Sequence, residues 1–350
     1  MAGINHRPYI VAGINHRPYI PMPETQAIRI GISACLLGHK VRYDGSHKYN
    51  EFIDNAWSRY FEWVAICPEI GIGMGAPRPP IRLVRLDNGE VRALGIKNSA
   101  LDVTAPLSAY FEQVRASLLY PCSGYGISGY IVKKNSPSCG LLRVKIYHPN
   151  GTPQGGGTGL YTQALQQALP DLPIEEEGRL QDNGLRESFI VRVLAYHRWQ
   201  LLLAQGLTAS AWVNFHTRHK LLLMAHNQAA YRRLGQQVAR NAGVAIAGQM
   251  VTNDPDHGPS AYFSAFMQAL ARRATAKSHG NVLLHLLGYL KTTLDKDDKA
   301  ELLGLIDAAQ RGKLPLIVPL TLLNHHFRRH PNAYVAEQHY MNYELWMMNS

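Results

Sequence analysis

Three of the four cysteines share one context. Cys35 directly follows an apolar, β-rich run, Ile28–Ala34 (IRIGISA), and Cys67 directly follows a second, Phe61–Ile66 (FEWVAI). Cys139 lies a short loop beyond a third, Ile127–Lys133 (ISGYIVK), within Lys133–Gly140 (KKNSPSCG). As parallel strands of an open sheet, these runs would turn their carboxyl ends toward one crevice, where such folds bind ligands. Three thiolates would then converge from distant points of the chain. Four cysteines in 350 residues do not make a disulfide scaffold. The closely paired ligands of a structural zinc site are also absent. Thiolates hold iron–sulfur clusters too, commonly four at a time. A cluster held by three leaves one iron open, a Lewis acid with affinity for sulfur. Cys122, in Tyr120–Tyr125 (YPCSGY), precedes its strand and is expected at the opposite end of the sheet. As a fourth ligand it would close the cluster; as a buried thiol it would be inert.

Residues beside the cysteines suit acid–base work. Glu69 sits in Cys67-Pro68-Glu69, two residues from a candidate ligand across a rigid proline. It reads as a surface acid or helix cap, or as a general base and acid for water and departing sulfur. Ser136 and Ser138 flank Pro137 just before Cys139. They shape the turn, or donate to a cluster sulfide or to the base. Arg78 and Arg82, in and after the Gly/Pro-rich Gly71–Pro80, are in reach of a phosphate or base. The triple glycine Gly155–Gly157 before a helix is a weak anion-cradle signal.

The elements that must position these residues change character near residue 170. Before it, strand-like runs alternate with helices at Asp102–Leu119 and Thr158–Leu169, which predicts an α/β N-terminal domain with a mainly parallel sheet over residues 22–170. Pro170–Asp182 (PDLPIEEEGRLQD) has the Pro, Gly and acidic content of a linker, placed at 171–184. Helical spacing recurs through the remainder, giving an all-α C-terminal domain at 185–350. Residues 1–21 are set apart: Ala2–Ile10 recurs word for word as Ala12–Ile20, the mark of a tag-like segment. No apolar run approaches the roughly 20 residues of a membrane span, so the reading is a cytoplasmic protein with no membrane partner.

The net charge of +11 points to a polyanionic partner, and its placement says more. From Ser188 to Asn253 there is no Asp or Glu, while Arg192, Arg198, Arg218, Lys220, Arg232, Arg233 and Arg240 fall within the stretch. A basic helical surface without a ligand is the plain reading; a phosphate-backbone footprint is the functional one. Tyr196, Trp199, Trp212 and Phe215 are available to stack bases, though their helical spacing suits a core. His197, His216, His219 and His226 fit hydrogen-bond donors or buried partners better than metal ligands, since no carboxylate accompanies them.

These residues carry a resemblance. Ser33–Gly38 (SACLLG) with Val41–Gly45 (VRYDG), Cys67-Pro68-Glu69, and Ser136–Gly140 (SPSCG) resemble the thiouracil desulfidase (TudS-like) family over about residues 28–165. Asn214–Lys220 (NFHTRHK), Leu223–His226 (LMAH) and His285–Lys291 (HLLGYLK) resemble the YbgA-type domain. The fusion is similar to the tRNA 4-thiouridine desulfidases known as RudS. The resemblance implies a 4Fe-4S cluster on Cys35, Cys67 and Cys139, catalytic roles for Glu69 and Ser136, and 4-thiouridine-containing tRNA as partner. It implies a non-redox hydrolysis in which an open iron takes the sulfur while water replaces it on the ring. Two other readings stay open: a desulfidase of free thiouracil, and a non-catalytic RNA-binding protein with a structural metal site.

Overall fold

The structure, a computed structural model, describes residues 27–119, 126–246 and 258–341. Residues 1–21 and Cys122, on which the tag and fourth-ligand readings fall, lie outside the described residues.

The apolar runs form strands where their pattern places them. Strands β1 (Ile28–Ser33) and β2 (Phe61–Ile66) pair in parallel, with helix α1 (Glu51–Trp57) between them, capped by Asn50 accepting from Ile53 N at 3.1 Å. A short helix α2 (Pro68–Gly71) follows β2. Strands β3 (Ile81–Arg85) and β4 (Val91–Gly95) make a hairpin leading to helix α3 (Thr104–Leu119), where Asp102 Oδ1 accepts from Thr104 N at 2.9 Å. Strands β5 (Gly129–Val132), β6 (Val144–Tyr147) and β7 (Pro153–Gly157), helix α4 (Leu160–Ala168) and strand β8 (Ile174–Glu176) complete the layer.

Two sheets result. The first runs β2-β1-β5-β8 with every pairing parallel; the second runs β4-β3-β6-β7 and is mixed. In the first, chain connections leave β1 toward β2 on one side and β5 lies on the other. The carboxyl ends of β1, β2 and β5 therefore open on a topological switch point, the usual ligand crevice of such sheets.

Two expectations change. The stretch read as a linker holds β8, hydrogen-bonded to β5 through Tyr130–Ile174, Ile131–Glu175 and Val132–Glu176, followed by a 3-10 turn at Arg179–Gln181. Its acidic triplet Glu175–Glu177 is buried and hydrogen-bonded. Carboxylates that look solvated in sequence are paired inside the fold. The triple glycine lies in β7, and the N–H groups opening α4 are taken: Leu160 and Tyr161 N–H donate to the carbonyls of Pro137 and Ser138 at 3.1 and 3.0 Å. No anion cradle is left there.

The rest is helical: α5 (Asn183–Ala204), α6 (Ala209–His226), α7 (Gln228–Ile246), α8 (Pro259–Leu270), α9 (Ala276–Tyr289), α10 (Lys296–Gln310), α11 (Ile317–Arg329) and α12 (Ala333–Ala336). Helix α5 is apolar on several sides, as a helix buried between layers must be. Phe189, Ile190 and Val193 share one core with Ile28, Ile30, Ile32 and Ile131 of the sheet and with Trp212, Phe215 and Phe266 of the helices. Phe189 stacks on Trp57 at 6.2 Å between centroids. The sheet domain and the helices are thus joined by a continuous core through α5.

Candidate active site

A cleft of about 530 Å³ opens at the carboxyl ends of β1, β2 and β5. Cys35, Cys67, Cys139, Glu69 and Ser136 all line it, so five residues chosen from three separate motifs meet at one place. Val41, Ile66, Pro80, Ile81 and Ile96 supply apolar wall, and Arg42, Tyr43, Lys48, Lys133 and Lys134 supply polar rim.

Each cysteine is fixed by backbone. Cys35 sits in a 3-10 turn closing β1, and its carbonyl accepts from Lys48 N at 2.8 Å, which folds the 38–50 loop over it. Cys67 occupies the N-cap position of α2, and its thiol donates to the Val41 carbonyl at 3.7 Å. Cys139 lies in a turn seated on α4: the Thr162 hydroxyl donates to its carbonyl at 2.6 Å, and Gly159 packs against Ser138 so closely that an added Cβ would stand 2.5 Å from the Ser138 carbonyl carbon. Ser136 shapes this turn; its Oγ accepts from Cys139 N at 3.1 Å and Ser138 N at 3.3 Å. That leaves its hydroxyl hydrogen free to donate toward the cleft.

Burial pushes the Cys35 thiol up to about 11, with a charge on Cys67 adding to the rise. Burial also raises Cys139, and charges on Glu69, Cys67 and Cys35 reinforce it. Cys67 is raised by burial as well. Three thiols that feel one another's charge need a cation between them to ionise together. Among the described residues, no three His, Cys, Asp or Glu side chains converge as a single ion requires. Thiols spaced around a cleft of this size fit a larger polynuclear group.

Glu69 is held on both oxygens. Ser138 Oγ donates to Oε1 at 2.9 Å, and Arg78 grips Oε2 through Nε at 2.8 Å and Nη2 at 2.6 Å. The Arg78 side chain is 3% exposed and also donates to the carbonyls of Val41 and Gly75. Arg78 therefore orients a carboxylate instead of waiting for a phosphate, and Ser138 serves the base. The Ser138 contact matches the sequence reading of that hydroxyl as a donor to the base; the Arg78 contact was not foreseen, its only signal being a lone arginine in the Gly/Pro-rich loop after Cys67-Pro68-Glu69. Arg82 lies over the Tyr147 ring at 5.1 Å and does not line the cleft.

The helical candidates separate by exposure. Arg232 and Arg233 are exposed on α7, as is Arg240. Arg192, Arg198, Arg218 and Lys220 are half-buried; Arg192 Nε donates to the Ser188 carbonyl at 3.3 Å, and Arg218 lies 3.9 Å from Glu337. Trp199, Trp212 and Phe215 are core. His197, His216, His219 and His226 are buried; His216 pairs with Tyr262, and His219 and His226 donate Nδ1–H to the carbonyls of Phe215 and Arg272.

A 2-thiouracil desulfurase family model matches residues 30–177, and a model described as a protein of unknown function (DUF1722) matches residues 220–343. The chain is 33% identical over 164 residues to the uncharacterized protein YbgA of Escherichia coli (strain K12), covering 46% of this chain and 89% of that one. It is 34% identical over 143 residues to the uncharacterized protein YbbK of Bacillus subtilis (strain 168), covering 39% of this chain and 89% of that one. Among solved structures it is similar to a [4Fe-4S]-dependent thiouracil desulfidase, TudS, with 32% identity over 44% of this chain and 93% of that chain and a TM-score of 0.35. The chain belongs, through residues 30–177, to the 2-thiouracil desulfurase family, with a DUF1722 domain of the YbgA type joined behind it.

Proposed function

We propose that this chain is an iron–sulfur-dependent desulfidase that converts 4-thiouridine in tRNA to uridine and releases sulfide. The observation that carries the chemistry is the single cleft on which Cys35, Cys67 and Cys139 meet Glu69. A 4Fe-4S cluster held by the three cysteines would supply an open iron with affinity for a thiocarbonyl sulfur. The chain's own residues do the rest. Arg78 and Ser138 fix the Glu69 carboxylate, which takes a proton from water as the water oxygen bonds to the ring carbon. As the carbon–sulfur bond breaks, Glu69 returns that proton to the sulfur and the new hydroxyl on the ring carbon gives up its own proton to the departing hydrosulfide, so water and a thiocarbonyl become a carbonyl and hydrogen sulfide. The Ser136 hydroxyl lines the same cleft and would hydrogen-bond the reacting base, against an apolar wall of Val41, Ile66, Ile81 and Ile96.

The RNA part of the proposal is supported by the acid-free stretch from Ser188 to Asn253 and by Arg232 and Arg233 on an exposed face. The thiolated nucleotide must leave its stack to enter the cleft, at a cost of a few kcal/mol that backbone contacts offset. A second reading, free thiouracil as substrate, is favoured by one fact: every residue lining the cleft lies between Ser33 and Cys139.

Protein purified and reconstituted with iron and sulfide without oxygen separates the readings. Incubated with bulk tRNA, it should deplete 4-thiouridine in the nucleoside digest with matching sulfide, and Cys139→Ala should abolish both. Loss of free thiouracil while 4-thiouridine persists would select the second reading; turnover of neither would overturn the desulfidase proposal.

A further inference from the structure

The cleft's most demanding segment is the loop from Lys133 to Leu142, which carries Ser136, Ser138 and Cys139. It is bounded by two non-glycine residues in the left-handed region, Asn135 at φ 60° and Arg143 at φ 55°. Asparagine tolerates that conformation and arginine does so poorly, so the loop is not where its own backbone preference would put it. Its middle is seated on α4 through the carbonyls of Pro137, Ser138 and Cys139. Its two ends are held by something else.

The holders are two buried carboxylates at the end of β8. Glu176 Oε1 accepts from Leu141 N at 3.1 Å and from Leu142 N at 3.0 Å, at the loop's exit. Glu177 Oε2 accepts from Lys134 N at 2.8 Å, and its Oε1 pairs with the Lys133 ammonium, at the loop's entry. Both residues are 7% exposed. A carboxylate costs much to bury, and it repays that cost only by charge-assisted hydrogen bonds as well placed as these. Their neighbour Glu175 is equally buried but points its bonds elsewhere, to Arg179 Nε at 2.7 Å and to the Glu176 backbone N–H at 3.0 Å.

We propose that Glu176 and Glu177 are positioning residues of the cleft: their carboxylates clamp the two ends of the 133–142 loop and thereby set where the Cys139 thiol and the Ser136 and Ser138 hydroxyls stand. The consequence for cluster retention rests on the function proposed above; the clamp itself does not. Lys133 gains a place by the same device, since its ammonium is held at the cleft wall on the side of Cys35.

The test compares Glu176→Ala, Glu177→Ala, Glu176→Gln and, as the control in the same strand, Glu175→Ala. The first readout needs no cluster: alkylation of Cys139 by iodoacetamide in the full chain, followed by peptide mass spectrometry. Glu176→Ala and Glu177→Ala should speed it at least about tenfold, since each removes two charge-assisted contacts from one end of the loop. Glu176→Gln, which keeps an oxygen acceptor for both N–H groups, should return it to within about twofold of the parent. The second readout is the rate at which a chelator strips iron from reconstituted protein, which should rise in the same two variants. Unchanged alkylation in both alanine variants overturns the clamp, as does an equal rise in Glu175→Ala. Should the parent chain hold no cluster, the function proposed above fails while the alkylation result still decides the clamp.

Discussion

At the scale of single residues, the decisive feature is a carboxylate that is oriented on both oxygens and still lines the cleft. Glu69 faces the cleft, while Arg78 and Ser138 take one oxygen each. This holds the carboxylate in one orientation instead of letting it rotate. Glu69→Gln keeps the shape and removes the proton acceptor. Turnover in the anaerobic assay should fall by about 10²- to 10³-fold with iron content unchanged; loss of iron instead would make Glu69 part of the metal's binding and not of the proton path. Arg78 is the more dangerous residue to remove. Its guanidinium is almost wholly buried, so Arg78→Met strands the Glu69 carboxylate, a change expected to cost about 3–5 kcal/mol in urea denaturation. Removing both charges together, Glu69→Gln with Arg78→Met, should recover much of that stability. A double variant no more stable than Arg78→Met alone would mean that Arg78 matters for the Val41 and Gly75 carbonyls it also binds.

At the scale of elements, the sheet and the helices approach closely at Gly129 of β5. An added Cβ there would lie 2.6 Å from Val193 Cγ2 on α5. Gly129→Ala should destabilise the chain by about 1–3 kcal/mol, read as a lower urea midpoint at unchanged slope. No loss would mean that α5 is free to back away from the sheet. The same elements show what the sequence made legible. β1 and β2 were readable because buried parallel strands are short apolar runs, and IRIGIS and FEWVAI are such runs. Convergence of the three cysteines followed from that, because strands of one parallel sheet share an edge. β8 was not readable: Glu175, Glu176 and Glu177 look like solvated linker until their partners at Arg179, Leu141 and Lys134 are known, and two of those three are more than thirty residues away. β7 hid for a different reason, since PQGGG has none of the side chains that mark a strand. The Arg78–Glu69 pair was equally hidden, because nothing local distinguishes an arginine that meets a carboxylate from one that meets solvent.

At the scale of the whole molecule, the continuous core through α5 ties the cleft's sheet to helices whose histidines are buried and neutral, and that makes the fold acid-sensitive. Burial holds His197 and His216 down to about 4, lowers His219 further and lowers His226 in the same direction. In the unfolded chain each would titrate near 6.5. Above that pH neither state binds the proton and the full stability is present. Below it the unfolded chain takes up protons that the folded chain refuses, so stability is lost as the pH falls from about 6.5 toward 4. His197 and His216 each contribute up to about 3 kcal/mol of that loss once both states are compared below pH 4. Exposed carboxylates titrate mostly lower, near 4, so the window from pH 6.5 to 5 belongs mainly to the histidines. Urea midpoints measured at pH 7.5, 6.5, 5.5 and 5 should therefore fall slightly between the first two, where the unfolded histidines begin to titrate, and then more steeply. A midpoint that stays level down to pH 5 would mean that these imidazoles accept protons in the folded chain. In that case the helices would carry histidine charge as well as the arginines of α7, and the acid-free stretch would become more positive as the pH falls.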